Sequence, residues 1–591
     1  MNYPIWDLPA SGLLIALVAI LHVFVSHFAV GGGLFLVVTE WKARRENDAS
    51  LLDYLKRHTR FFVLLTLVFG AVTGVGIWFT IGLVHPAATS SLINAFVWAW
   101  AIEWVFFLTE IAAAIVYFYG WDRLTPRQHM AVGWVYFISA WMSLVVITGI
   151  LTFMLTPGAW IESRDIWSAF FNPTYWPSVA IRTLGAMGLA GVYALFTASW
   201  LTAADMRPKG DAPEAVAARV RNALVLKRKL SAYAAAWWVL PMAIGLPLSL
   251  LWYFAAADAA GAGVAEIFGS ASSSVRDLIG SMFTTSSTGH PVAQRALRTA
   301  FGSITVTIVL VFALFLFRRE KFGRIGTAAV MLAALASIGG SEWVREGLRK
   351  PYVIGSYMFV NGVRVPPPAG SIAEQRQPTS DPLRVDQLSE RGVLAAAHFV
   401  RLPASSTGEW SGDQQKEAGK EMFRLLCSHC HTLDGYLALR PLVKGSSAGA
   451  IETMLGRLAV PIDDEGHDAA WSSRGFRLAS WRNRRMPPFV GTPEEKRALA
   501  VYLAGVGGGS VDFAPAAADG AAIFESNCGI CHAADGDMAL DSRLAGRSEN
   551  DLYDVVGRLP EISDAMPPFE GTDEDRRALA GYLAALAKGR R

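Results

Sequence analysis

Residues 101–124 read AIEWVFFLTEIAAAIVYFYGWDRL. The run is long and apolar enough to cross a bilayer, for which about 20 residues suffice. It nevertheless carries Glu103 and Glu110 inside its apolar part. An acidic side chain deep in a membrane helix costs roughly 2.5–3.5 kcal/mol on translocon scales, and such residues mark proton, ion or cofactor paths. Their spacing of seven puts both on one helical face, about 10.5 Å apart along the axis. Two stacked carboxylates suggest a proton relay. The bland alternative is a salt bridge to a neighbouring helix.

The rest of the chain fits this membrane reading. Of 591 residues, 52% are hydrophobic and 17% charged, with 20 Trp and 32 Phe, too apolar for one soluble domain of this size. Further apolar runs lie at 13–39, 61–84, 93–120, 131–155, 178–203, 232–257, 299–317 and 326–348, giving eight spans with the 101–124 stretch inside the third. The first has no basic flank or cleavage site and is expected to be retained. Basic residues crowd the loops 41–60, 121–128, 206–229 and 318–324, whereas 85–92, 156–177 and 258–297 hold few. The positive-inside rule therefore puts both termini outside. The formal charge of +3 gives no sign of a nucleic-acid partner.

The only four cysteines sit in two Cys-x-x-Cys-His motifs, Cys427–His431 and Cys528–His532. Two cysteines at this spacing can bond the vinyl groups of one haem while the adjacent histidine ligates its iron. A downstream methionine, Met486 or Met566, each in the sequence MPPF, supplies the sixth ligand; His/Met ligation raises the potential and suits electron transfer. Each motif is followed by a near-duplicate terminal helix, GTPEEKRALAVYLAGV and GTDEDRRALAGYLAAL. These modules resemble class I cytochromes c. The first has about 20 extra residues between motif and methionine, His467 among them, and its His429 is read as a passenger. The preceding polar segment, roughly 361–416 with Pro366, Pro367 and Pro368, reads as an extended tether.

In the bundle, His22 and His27 lie in apolar sequence, and His22 is the better candidate haem ligand. Glu103 lies at a similar depth, with Glu342 and Glu346 at the outer end of the eighth span. That gathers a redox site in the outer half, with Glu110 nearer the inside.

The pattern His22-x8-Gly31, FGAVTGVGIWFTIGL at 69–83, AIE and LTE before GWDRL, QHM at 128–130, and E-x-x-R-x-P from Glu346 to Pro351 resembles the large haem-bearing subunit of cytochrome bd oxidases over about 1–355. The resemblance implies that His22 and Glu346 are axial ligands in a high-spin di-haem site of b or d type. It also implies that Glu103 and Glu110 serve ligand and proton-path roles, and that dioxygen is reduced to water. Two departures stand out. Arg182 occupies the place of the family's low-spin haem histidine, and Ala300 that of its methionine, so that haem is expected to be absent from its usual place. His27, His85 or His290 could supply a substitute ligand. The family's outer quinol loop corresponds to a short Gly-, Ala- and Ser-rich segment, 258–297.

The expected architecture is thus all-α. A membrane domain at 1–355 is followed by a linker at 356–416 and cytochrome c domains at 417–507 and 508–591. The expected activity is a cytochrome bd-like oxidase of the bacterial inner membrane, with its c modules on the periplasmic side. They would be fed by an external donor such as a soluble cytochrome c. A second membrane subunit or a homodimer could complete the bundle. Nitric oxide as acceptor, or an electron conduit or haem sensor without gas reduction, are the alternatives.

Overall fold

The computed structural model describes residues 11–201, 213–262, 264–268, 270, 272–283, 291–317, 323–376, 383–400, 410, 412–435, 437–458, 486–513, 520–524, 528, 532, 540–562, 566, 568–569 and 571–588. Cys531, His290 and His467 lie outside the described residues. Among the described residues, eight helices are long and apolar enough to cross a membrane: Gly12–Arg45, Ala49–Val84, Val97–Gly120, Pro126–Phe153, Tyr175–Ala198, Val220–Ala259, Gln294–Ala313 and Arg324–Arg349. They correspond one for one to the apolar runs of the sequence.

Local signals set several boundaries. The first span ends in Lys42, Arg44 and Arg45, cations that complement the negative end of the helix dipole. The fourth begins with a reciprocal Thr125–Gln128 capping box and Pro126 in its first turn. Large apolar side chains such as Trp98 (73% exposed) and Val72 (67%) point outward from the bundle, as a lipid-facing surface requires. Inside, Phe28, Phe35, Phe62, Tyr54 and Tyr193 form a packed aromatic core between the first, second and fifth spans. Gly31 permits it: a Cβ there would stand 1.8 Å from the Ala186 carbonyl oxygen. The third and fourth spans run antiparallel in close contact, as do the seventh and eighth.

The eighth span leads into a short antiparallel hairpin, Tyr352–Ile354 with Met358–Phe359. The chain beyond it is not the extended tether that its composition suggests. Val363, Val365, Leu383, Val385, Leu388 and Val393 are buried in one apolar core with Tyr352, Phe359, Met422, Leu425, Ile451 and Leu499. The segment is polar in composition, but six of its apolar residues turn toward the first module, while Ile372 and Phe399 stay exposed. Glu495 strengthens the junction, accepting hydrogen bonds from the backbone N–H of Val393 (2.9 Å) and Leu394 (2.8 Å) as well as Thr492 (3.0 Å).

The two C-terminal modules repeat one crossing. In the first, helix Gly412–Met422 meets helix Pro493–Gly507 where a Cβ on Gly419 would lie 2.0 Å from the Ala498 oxygen and 2.7 Å from Tyr502. In the second, Gly520 stands at the same 2.0 and 2.7 Å from Ala578 and Tyr582 of helix Asp573–Lys588. The terminal helices carry equivalent caps, Thr492 with Glu495 and Thr572 with Asp575.

Candidate functional site

His22 lies against the second span. Thr73 Oγ1 donates to the Phe69 carbonyl (2.8 Å), so it accepts from His22 Nδ1 (3.1 Å). The ring is thereby fixed with its proton on Nδ1 and its lone pair on Nε2, the form an axial haem ligand needs. Gly74 allows the approach, since a Cβ there would lie 3.1 Å from His22 Cε1.

Glu103 and Glu110 face hydroxyls rather than bases. Ser143 donates to Glu103 (2.7 Å) and Tyr136 to Glu110 (3.0 Å), so the salt-bridge alternative is not formed among the described residues. Glu346 lies between two cations, bonded to Arg349 and 3.8 Å from Lys350 Nζ. Arg349 also donates to the Val353 carbonyl (2.8 Å), tying the carboxylate to the hairpin. His22, Glu103 and Glu346 each keep separate partners, and no three His, Cys, Asp or Glu among the described residues cluster tightly enough to hold a bare ion.

The departures from the family pattern have structural partners. Arg182 pairs with Glu342 (3.6 Å), which also binds Arg345 (2.9 Å). The Arg182 place is thus filled by an ion-pair network between the fifth and eighth spans. Ala300 is buried against Gly340, where an added Cβ would meet Ala300 Cα at 2.6 Å. An arginine held in ion pairs and an alanine with no donor atom do not fit a pair of haem-iron ligands. The segment in place of the quinol loop packs its short helices Val264–Phe268 and Val275–Phe283 against the sixth and seventh spans through Val264, Phe268 and Leu278.

In the first c-type module, Cys427, Met486 and Phe489 border the shared core. His431 Nδ1 donates to the Leu437 carbonyl (2.8 Å), leaving Nε2 as its ligating atom. Burial lowers the pKa of His431, and the Leu437 bond opposes this. In the second module Cys528 and Phe569 border a separate core, and His532 is buried. His429, read from sequence as a passenger, has a definite place. Its ring faces that of His85 at the end of the second span, with centroids 5.7 Å apart and planes 15° from parallel. Burial, reinforced by Arg424, holds His429 at about 4, so both rings meet as neutral groups. The charges of Lys350, Glu346 and Arg349 act on Cys430, and that of Lys350 on His431. The first haem-attachment turn is therefore seated on the same end of the bundle as Glu346.

Together these features define a predominantly helical membrane protein with a small module bearing a Cys-x-x-Cys-His motif packed onto one end. Comparison with known proteins gives the kind. The profile for cytochrome bd terminal oxidase subunit I matches residues 11–252, and that for cytochrome C oxidase, cbb3-type, subunit III matches residues 515–583. The N-terminal part is a cytochrome bd subunit I domain, and a cbb3-type cytochrome c domain lies near the C-terminus. A candidate cytochrome bd menaquinol oxidase subunit I from Bacillus subtilis (strain 168) is 26% identical over 171 residues, 28% of this chain and 38% of that protein. The chain thus spans less than half the length of that relative. The solved bd oxidase of Geobacillus thermodenitrificans overlays 58% of this chain and 87% of its own at 19% identity, with a TM-score of 0.41.

Proposed function

We propose that the protein is a haem-dependent respiratory oxidoreductase of the bacterial inner membrane. It takes electrons from an external one-electron donor through two covalent c haems and delivers them to a di-haem site in the bundle, where O2 is reduced to water. The observation that carries this reading is the seating of the CSHCH turn beside Glu346 and His85.

In this reading Cys427, Cys430, His431 and Met486 hold one c haem, and Cys528, Cys531, His532 and Met566 the other. His22, through Nε2, and Glu346 would hold high-spin haems of b or d type. The haems supply one-electron chemistry and an open iron position. Arg349 and Lys350 place cations beside Glu346, and Thr73 keeps His22 in its ligating tautomer. Glu103 and Glu110 pass protons from the inner side, helped by Ser143 and Tyr136. The low-spin haem of the family is absent, its place held by Arg182, Glu342, Arg345 and the Ala300–Gly340 contact. With it goes the usual entry for quinol electrons, and a soluble cytochrome c or copper protein outside becomes the donor.

A reduced-plus-CO minus reduced spectrum, with pyridine haemochrome analysis, tests the proposal. Two c haems beside a CO-reactive high-spin signal are expected, with faster oxidation of a soluble cytochrome c than of menaquinol. A protein without CO response would be an electron conduit, and one that consumes nitric oxide but not O2 would have another acceptor.

A further inference from the structure

The third and fourth spans carry a ladder of polar pairs that the proposed chemistry uses only in part. Glu103 faces Ser143, Glu110 faces Tyr136 and Tyr117 faces His129. Each step of seven along the third span is matched by seven back along the fourth, so the pairs recur about every 10.5 Å.

The last pair is the most buried. His129 is 1% exposed and Glu40, from the first span, 0%. His129 Nε2 donates to the Tyr117 carbonyl (2.9 Å), which can only accept. Its Nδ1 lies 2.8 and 3.0 Å from the two Glu40 oxygens. Because Nε2 already carries a proton, the Nδ1–Glu40 contact requires a second, on the nitrogen or on the carboxyl. This pair therefore stores a proton. Tyr117 also donates its hydroxyl to Glu40 (2.7 Å), as does Arg44 Nε (2.7 Å), and the Arg44 side chain is 26% exposed at the basic end of the bundle.

Toward Glu110 lies a small, mostly apolar cavity with Leu36, Phe62 and Val63 in its wall; its volume of about 10 Å³ is at the lower limit for one water, whose polar partners in the proposed route are the Tyr117 and Tyr136 hydroxyls. Above it, Tyr136 sits between Glu110 (3.0 Å) and the Ala29 carbonyl (3.1 Å). When its single proton goes to Ala29, a protonated Glu110 donates to the phenol oxygen; when Glu110 is ionised, the phenol donates to it. Neither state leaves a group unpaired.

The geometry points to Glu40, His129 and Tyr117 as the inner proton entry to Glu110, through one cavity water and Tyr136. At each hop one N–H or O–H bond breaks as another forms, and no electron moves. The net change is one proton taken from inner water by the Glu40–His129 pair and one delivered to Glu110. The destination of the proton rests on the proposed function, but the route does not.

The test follows exchange of the Glu110 acid proton with D2O by infrared spectroscopy on the full-length, haem-loaded protein in lipid, the band being assigned by its loss in Glu110→Gln. Exchange is expected to slow at least about tenfold in Glu40→Gln and in Tyr117→Phe, which deletes one hydroxyl and keeps the ring. Glu40→Asp should restore much of the rate, and Asp122→Asn, at the exposed inner Lys56–Asp122 pair, should leave it unchanged. Wild-type exchange in folded Glu40→Gln or Tyr117→Phe protein would overturn the route, as would slowing by Asp122→Asn alone. The readout needs no O2 turnover, so a protein that reduced no oxygen could still confirm the entry.

Discussion

The two c-type modules share their haem motif, their Gly–Ala–Tyr helix crossing and their capped terminal helix, yet they are held differently. The first has no separate core: its buried Met422, Leu425 and Leu499 continue into Val365, Leu388 and Tyr352 of the chain leaving the eighth span. The second packs Phe524, Leu552, Leu579 and Leu583 among themselves. One motif has been built into the membrane domain and the other appended to it. In the proposed electron path this difference would make the first the fixed contact with the bundle and the second the outer input.

The largest effect that would expose this asymmetry is loss of a motif. Cys427→Ala with Cys430→Ala should leave one c haem by pyridine haemochrome and remove donor-driven reduction of the bundle haems. Cys528→Ala with Cys531→Ala should also leave one c haem but only raise the donor concentration needed. Equal losses from both would break the comparison. Next come the crossings. Gly419→Ala and Gly520→Ala each force a Cβ against a carbonyl, costing about 1–3 kcal/mol or more. Calorimetry should show Gly419→Ala lowering the main transition and Gly520→Ala a separate one.

Leu388→Ala, at a fully buried position of the shared core, should cost about 2–5 kcal/mol in the main transition and leave the other unmoved. The caps sharpen the contrast further. Glu495 bonds the linker backbone as well as its own helix, so Glu495→Ala should cost about 1.5–3 kcal/mol. Asp575→Ala, at an exposed cap, should shift its transition measurably less. The smallest effect expected is that of His85→Ala, about 0.5–1.5 kcal/mol from the lost ring contact, seen as a lower midpoint of the main transition with the second module's transition unmoved.

Much of this was legible from the chain. The eight spans are written in runs of apolar residues, and the two Cys-x-x-Cys-His motifs in a short spacing whose repetition, each with the same terminal helix, points to haem attachment. Helical periodicity also put Glu103 and Glu110 on one face correctly. What escaped depends on contacts distant in sequence. The buried residues of 361–396 are too sparse to show a period, so the segment reads as polar until its partners in the first module are known. Glu40 looks like a helix-end charge and His129 like part of a family signature. Only their meeting 89 positions apart makes them a buried pair. The contact of His429 with His85 likewise required two domains to be placed together.

The shared core also sets where this chain can be cut. A fragment beginning at residue 417 would leave the cytochrome fold without the wall that Val363, Val365, Leu383, Leu388 and Val393 supply, and would present bare apolar surface to water. A fragment spanning only the second module would keep its interior whole. A gene ending just after Phe513, which packs on the shared core, could therefore still encode a sound protein, whereas a break near 400 would damage both pieces.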